Sequence, residues 1–134
     1  MCSIVGLINK NYHISTNDFN EVNEIFSKVK HRGPDAESMR ACANHTILGS
    51  NRLAITDHTN TDAIMPMVSA CGRFTLVFNG EIYNHLELRE QLGEYSFKTQ
   101  SDTETLLAAY MTWGESCLEL LDGMYGIFNT RHSN

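Results

Sequence analysis

Phe74-Thr75-Leu76-Val77-Phe78-Asn79-Gly80-Glu81-Ile82-Tyr83-Asn84 decides the reading of this chain, because an apolar, β-forming run passes without a break into Asn-Gly. The first five residues are suited to both faces of a strand, which predicts a strand covered on both sides. Asn-Gly is the strongest short hairpin signal, so a turn is expected at Asn79-Gly80. A functional site is expected where this strand ends.

Toward the amino terminus, Thr56 to Asp62 is a polar loop, and Thr46 to Ile55 predicts a strand pair or a bent strand with Arg52 among Leu48, Leu53 and Ile55. Phe19, Val22, Ile25, Phe26 and Val29 recur at helical spacing behind Asn17 and Asp18, with Glu21 three after Asp18 as a box-like cap. Lys28, Lys30, His31 and Arg32 then sit at the end of this helix that favours cations. His31 to Asp35 breaks it. Ser3 to Ile8 is a continuous apolar run interrupted by Gly6, as expected of a buried strand.

Toward the carboxyl terminus, Asn84 with Glu87 opens a helix carrying Leu86, Leu88 and Leu92 and closing near Gly93. Ser101 with Glu104 is a capping box that opens another, carrying Leu106, Leu107, Tyr110 and Met111 up to Gly114. Leu118, Leu120 and Leu121 predict one more short helix, and Met124 to Phe128 a strand.

A length of 134 residues fits one domain. The 42% hydrophobic and 19% charged composition is that of an ordinary globular protein. A net charge of −6 argues against nucleic-acid or anionic-membrane binding, both of which need clustered lysine and arginine. No basic leader with a long apolar run begins the chain, so a cytoplasmic location is expected. Cys2, Cys42, Cys71 and Cys117 are too scattered for a zinc site or a disulfide framework, so the last three are expected to be reduced core or half-buried thiols. Tyr83 and Trp113 are expected to pack rather than to stack on a ligand.

Cys2 beside Met1 is the residue with most chemical meaning. Removal of Met1 would put a thiol and the free α-amine on one residue, and the amine would then serve as base for the thiol. An α-amine pKa of about 7.7 to 8.0 leaves roughly a tenth to a sixth neutral at pH 7, enough for that task. The alternative is that Cys2 is merely the first core residue of a strand.

Cys2-Ser3-Ile4-Val5-Gly6, Arg32-Gly33-Pro34-Asp35, Asn51-Arg52-Leu53-Ala54-Ile55, Asn79-Gly80-Glu81-Ile82-Tyr83-Asn84, Ser101-Asp102-Thr103-Glu104 and Leu121-Asp122-Gly123-Met124 follow one another in this order. Together they resemble the glutaminase domain of class II, N-terminal-nucleophile glutamine amidotransferases of the asparagine synthetase (glutamine-hydrolysing) type. The resemblance covers almost the whole of residues 1–134. It implies an α+β fold, a four-layer αββα sandwich of two antiparallel sheets with helices outside.

The implied chemistry is hydrolysis of the glutamine side-chain amide to glutamate and ammonia through a glutamyl thioester on Cys2. Asn79 and Gly80 would supply the oxyanion hole by side-chain amide and backbone N–H. Without the flanking Glu81 to Asn84, a turn would be the preferred reading of that pair. Arg52 would grip the α-carboxylate of glutamine, since guanidinium binds carboxylate bidentately and keeps its charge. Asp102, with Glu81 beside it, would take the α-ammonium, although an acidic residue there also suits a helix start. Leu53 and Ile55 would shape the pocket, and Arg32, Gly33, Pro34 and Asp35 would form a loop closing over it.

The amide hydrolysis needs no metal or cofactor by this resemblance. ATP and magnesium belong to a synthetase domain or subunit that would use the ammonia, with aspartate as the default acceptor, and a homodimer is among the expected assemblies. Two features depart from the family. Met65 stands before Pro66 where glutamine is usual, and the glutaminase domain of the family continues for several strands past Phe128. The chain is therefore expected to be a partial domain lacking the synthetase half, incomplete at its C-terminus. Two functions follow: an ammonia-producing enzyme, or a catalytically silent fragment or binding module that docks a separate synthetase.

Overall fold

A computed structural model describes residues 2–42, 45–52 and 64–132, with Arg52 described by its backbone alone. It is an α+β fold of two antiparallel sheets and three helices. In the first sheet the order is β1 (Ser3–Ile8), β3 (Thr46–Arg52), β2 (Ala36–Cys42). In the second it is β4 (Met67–Val68), β5 (Phe74–Ile82), β6 (Gly123–Arg131).

Alternation along β3 shows what covers each face of the first sheet. A Cβ built on Gly49 would meet Val5, Met39 and the Phe26 ring of α1 (Thr16–Ser27). One residue earlier, Leu48 pairs with Gly6, where a Cβ would meet the Leu48 side chain and the Phe128 ring of β6. Odd-numbered residues of β1 and β3 therefore face α1, and even-numbered ones face the second sheet. The main core lies in that second direction, where Cys42, Leu48, Met65, Met67, Leu76, Val77, Phe78 and Ile82 join Leu88, Leu106 and Leu107. Leu88 lies on α2 (His85–Gln91), and Leu106 and Leu107 lie on α3 (Asp102–Trp113).

The central expectation of a doubly covered strand at 74–78 holds, since Thr75 to Phe78 are all buried. The expected turn at Asn79-Gly80 does not form. Strand β5 runs on to Ile82, and Asn79 and Gly80 pair with Gly126 and Tyr125 inside an unbroken ladder. The apolar Ile82 after Gly80 finds a fully buried place, and that burial outweighs the local turn preference of Asn-Gly.

Helix α1 starts earlier than its apolar spacing indicates. Ser15 is the N-cap: its hydroxyl accepts from Asp18 N at 3.2 Å, and its own N–H donates to the Asp18 carboxylate at 2.8 Å. Glu21 instead accepts from the Asn17 side chain at 2.8 Å. Val22 and Phe26 are buried but Ile25 is exposed. Lys28 is the C-cap and Lys30–Arg32 form a separate 3-10 turn, so the last turn of α1 carries no basic residue. The Lys30 Nζ instead pairs with Glu37 at 2.7 Å.

Strand β2 lacks a strong apolar signal in the sequence because its residues before Cys42 are all exposed or half-buried, with no regular alternation. Leu86 is 60% exposed, and Tyr83, expected to pack, is 56% exposed. Trp113 does pack against the apolar clusters. The helix expected near Leu118 is a 3-10 segment, Gly114–Leu120, and the last strand is longer than 124–128 at both ends. Cys42 and Cys117 are buried free thiols, whereas Cys71 is exposed in the turn before β5. Burial pushes the Cys42 and Cys117 thiols up from their ordinary pKa. Met65, at the position that departs from the family, is buried, and its sulfur accepts the N–H of Phe78 at 3.1 Å.

Candidate active site

Two contacts fix how the sheets lie on one another. The Cys42 thiol lies near enough to the Thr75 hydroxyl for that group to favour its ionised form. Val77 pairs with Phe128, whose ring lies 3.4 Å from where a Cβ of Gly6 would stand. Cross-strand partners share a face, so Thr75, Val77, Asn79 and Glu81 all face the first sheet. Going from Thr75 to Val77 on β5 matches going from the Cys42–Thr46 end of the first sheet to the Gly6–Leu48 level.

Continuing the same way brings Asn79 and Glu81 toward the end of the first sheet where β1 begins, β3 ends and β2 begins. There, one residue beyond the pair Ser3 with Asn51, Cys2 comes level with Arg52, whose Cα partner on the other side is Ala36. Arg32 to Asp35 lead directly into Ala36, so that loop borders the same end. Gly33 is buried and donates to the Lys30 carbonyl at 3.2 Å. The side chain of Arg52 and the residues Leu53 and Ile55 lie outside the described structure, as does the polar loop expected from Thr56 to Asp62.

Gly80 has φ +153°, and a Cβ there would stand 2.0 Å from the Met124 carbonyl oxygen. No residue with a side chain fits that backbone. Beside Asn79 on the same face, Gly126 leaves open space: its added Cβ would meet nothing nearer than the Asn79 carbonyl oxygen at 4.0 Å. A side-chain amide next to a gap is what binding of a small polar substrate requires, and a glycine at Asn79's cross-strand partner provides the gap.

Asp102 reaches the same end from the second sheet's other side. Ser101 caps α3, its hydroxyl accepting from Glu104 N at 3.2 Å, while the Asp102 carboxylate accepts the N–H of Ile82 at 3.0 Å. The capping falls to Ser101, and the Asp102 carboxylate is turned to the strand instead. Burial raises the Asp102 pKa above its ordinary value, and the nearby Glu81 charge adds to the rise. The Ile82 and Thr103 N–H groups and His85 pull the other way.

Asp102 is held in place by a network that spacing alone does not reveal. Arg89 of α2 donates to the Thr105 hydroxyl at 2.8 Å, the Thr99 carbonyl at 2.8 Å and the Ser101 carbonyl at 2.7 Å, and its guanidinium lies 4.1 Å from the Phe97 ring centre. Glu104 accepts from Lys98 N at 2.9 Å, Thr99 N at 2.7 Å and the Thr99 hydroxyl at 2.7 Å. Asn84, expected to open α2, makes no side-chain cap. Its amide joins the Leu120 carbonyl at 2.9 Å and Asp122 N at 3.0 Å, anchoring the chain just before β6.

The strand that follows Cys2 thus lies across from the Asn79-Gly80 strand, with the anchored Asp102 at one end of the second. A profile of the glutamine amidotransferase domain matches residues 1–133, and the chain belongs to that family. It is 48% identical over 99 residues to a probable glutamine-hydrolyzing asparagine synthetase of Schizosaccharomyces pombe, covering 73% of this chain and 17% of that protein. Asparagine synthetase 1 of Bacillus subtilis is 38% identical over 128 residues, covering 93% of this chain and 20% of that protein, and the Zea mays enzyme is 34% identical over 125 residues, with 93% and 21% covered. The chain thus spans about a fifth of these relatives' length. Among solved structures, glutamine phosphoribosylpyrophosphate amidotransferase from B. subtilis, complexed with ADP and GMP, aligns with TM-score 0.55 and 25% identity, over 66% of this chain and 21% of that one. No helix among the described residues is long and apolar enough to cross a membrane.

Proposed function

We propose that this chain carries the glutaminase reaction of an asparagine synthetase-type amidotransferase, with Cys2 as the nucleophile after Met1 is removed. The observation that carries the reading is the alignment of the two sheets, which brings the Cys2 end of β1, Asn79 and Asp102's anchor at Ile82 to one end of the fold. Within that reading the fold is the four-layer αββα sandwich of N-terminal-nucleophile hydrolases, with α1 and α3 as its outer layers.

The mechanism follows from the residues. Glutamine enters the space beside Gly126, its α-ammonium on Asp102 with Glu81 nearby and its α-carboxylate on Arg52. Leu53 and Ile55 complete the pocket wall, and Arg32 to Asp35 close over it. The Cys2 α-amine takes the thiol proton as sulfur attacks the amide carbon. The Asn79 amide and the Gly80 N–H stabilise the oxyanion, each such donor contributing about 3 kcal/mol. Collapse releases ammonia carrying the proton from the α-amine, and water hydrolyses the remaining thioester.

This chemistry uses thiol, amine and oxyanion donors alone, and the reading assigns ATP and magnesium to a synthetase domain or subunit that receives the ammonia in the cytoplasm. Asparagine synthesis from aspartate is the default outcome, by likeness to the named relatives. The test is intact-mass measurement followed by a glutaminase assay of wild type and Cys2→Ala. Loss of Met1, glutamate release by wild type and its abolition in Cys2→Ala are expected. Retained Met1, or unchanged ammonia release in the variant, would overturn the mechanism.

A further inference from the structure

We propose that Ser50 is a further catalytic residue: its hydroxyl holds the water that hydrolyses the glutamyl thioester on Cys2. The inference rests on the N-terminal-cysteine reading above.

Ser50 is 2% exposed, and its Oγ is buried with no hydrogen-bond partner among the described residues. Buried hydroxyls nearly always have a partner, and where protein supplies none an ordered water does. The surroundings show which way this one points. Ser50 pairs with Ile4 on one side and Ser38 on the other. Two residues from Leu48 on β3, it shares the face that looks toward β5 and Phe128, in the direction of Asn79.

Cys2 is the next residue after Ile4 on that face of β1, which makes it the diagonal neighbour of Ser50, about 7–8 Å away between Cα atoms. A serine side chain plus one water, with hydrogen bonds of about 2.8 Å, spans that separation. Leu48 and Ile4 beside it offer no polar side-chain atom, whereas Ser38 directly opposite offers a hydroxyl, so a water there would be held by Ser50, by Ser38 and by what lies toward Cys2. Sequence spacing alone does not single out this serine. The signal is the alternation that puts Ser50 on the face of Leu48 once the sheet faces are known.

In the proposed step Ser50 Oγ accepts one hydrogen of the water, leaving the other directed at the Cys2 α-amine and a lone pair directed at the acyl carbon. The water oxygen bonds to that carbon, and its proton passes to the amine. The C–S bond then breaks with its electron pair on sulfur, which regains the proton as a thiol, and glutamate leaves. No oxidant, reductant or further reactant is needed.

Hydroxylamine competes with water for the thioester without needing the Ser50 site, so partitioning isolates this step. The full chain is assayed with glutamine at fixed hydroxylamine, and glutamate and γ-glutamyl hydroxamate are measured. Relative to wild type, Ser50→Ala should raise the hydroxamate-to-glutamate ratio tenfold or more and let thioester accumulate on Cys2 in quenched intact-mass spectra. Ser50→Thr, which keeps the hydroxyl, should return the ratio toward wild type. A merely structural serine would alter overall turnover and leave the ratio unchanged, and that result with an active wild type overturns the Ser50 proposal alone. Absence of both glutamate and hydroxamate from wild type overturns this proposal together with the nucleophile reading. Should Ser50→Ala not fold, Ser50→Cys carries the same expectation, because a thiol is a weak hydrogen-bond partner of similar size.

Discussion

The carboxylate of Asp102 accepts the backbone N–H of Ile82 at 3.0 Å, tying the first turn of α3 to the last residue of β5. This one bond links the proposed ammonium site to the strand that carries Asn79 and Gly80. Burial, the largest influence on Asp102, raises its pKa, so its charged form is disfavoured in the fold.

The pH dependence follows from that direction. A carboxyl raised by folding favours the native state below its unfolded pKa, near 3.9, and this contribution is lost as pH rises through the folded value. Asp102→Asn keeps an oxygen to accept from Ile82 and removes the buried charge. Thermal unfolding at pH 7 should therefore show it at least as stable as wild type. Glutamine KM should rise about 100-fold or more through loss of the ion pair with the α-ammonium. In wild type, kcat/KM should begin to fall with acid at a pH above the ordinary carboxylate range. A marked loss of stability in Asp102→Asn would show that the charge holds the fold rather than the ligand.

Gly80→Ala tests the strand reading of Asn-Gly. With φ +153° and the Met124 carbonyl 2.0 Å from an added Cβ, alanine must both adopt a strained backbone and push β6 away. Strain of this kind costs about 1–3 kcal/mol before the clash is counted. Urea unfolding should show a loss of about 3 kcal/mol or more, or failure to fold. A hairpin turn at this position would carry the positive-φ cost alone, about 1–3 kcal/mol, without the clash against β6.

Much of this architecture is legible in the sequence, and the misses share one cause. The strand at Ser3–Ile8, the buried run at 74–78 and the Ser101 cap are set by local pattern and form as expected. But β1 is not covered on both faces, since Gly6 and Ile8 are exposed, and the Glu104 carboxylate bonds Lys98 and Thr99 instead of closing a capping box on Ser101. Asn79-Gly80 carries a local turn signal that the fold overrides, because the burial of Ile82 and the partnering by β6 are not local. Strand β2 is hidden because neither of its faces is consistently apolar, although its pairing to β3 spans Ala36 to Cys42. The motif residues Cys2, Arg52, Asn79 and Asp102 stand out individually. Whether they meet depends on how two sheets stack, and so does the placing of Ser50 and Gly126, whereas Arg89 is set by the packing of α2 against the start of α3.

Arg89→Lys should show how far from the ligand the site is built. Lysine can replace at most part of a fork that bonds Thr105, Thr99 and Ser101, and it loses the planar stack on Phe97. Leaving buried carbonyls without donors costs about 1–3 kcal/mol each, so a stability loss of about 2 kcal/mol is expected. Asp102 follows Ser101 directly, so glutamine KM should rise several-fold while kcat changes little. Equal losses in kcat and kcat/KM would instead connect Arg89 to the transition state.

Gly126 separates room for substrate from stability of the strand. Glycine inside a strand weakens it, and the backbone here has ordinary dihedral space and a free volume beside Asn79. Gly126→Ala should fold with unchanged or slightly higher stability, because its Cβ meets only the Asn79 carbonyl oxygen, at 4.0 Å. Gly126→Leu projects a larger side chain into the same gap between the sheets, next to the amide proposed to hold the oxyanion. Its glutaminase activity should drop at least 100-fold. Alkylation of Cys2 by iodoacetamide, a smaller reagent than glutamine, should slow far less. Equal losses in both reactions would mean that the leucine displaced β1 and its thiol rather than filling the substrate's place, and the gap beside Asn79 would then not be the glutamine pocket.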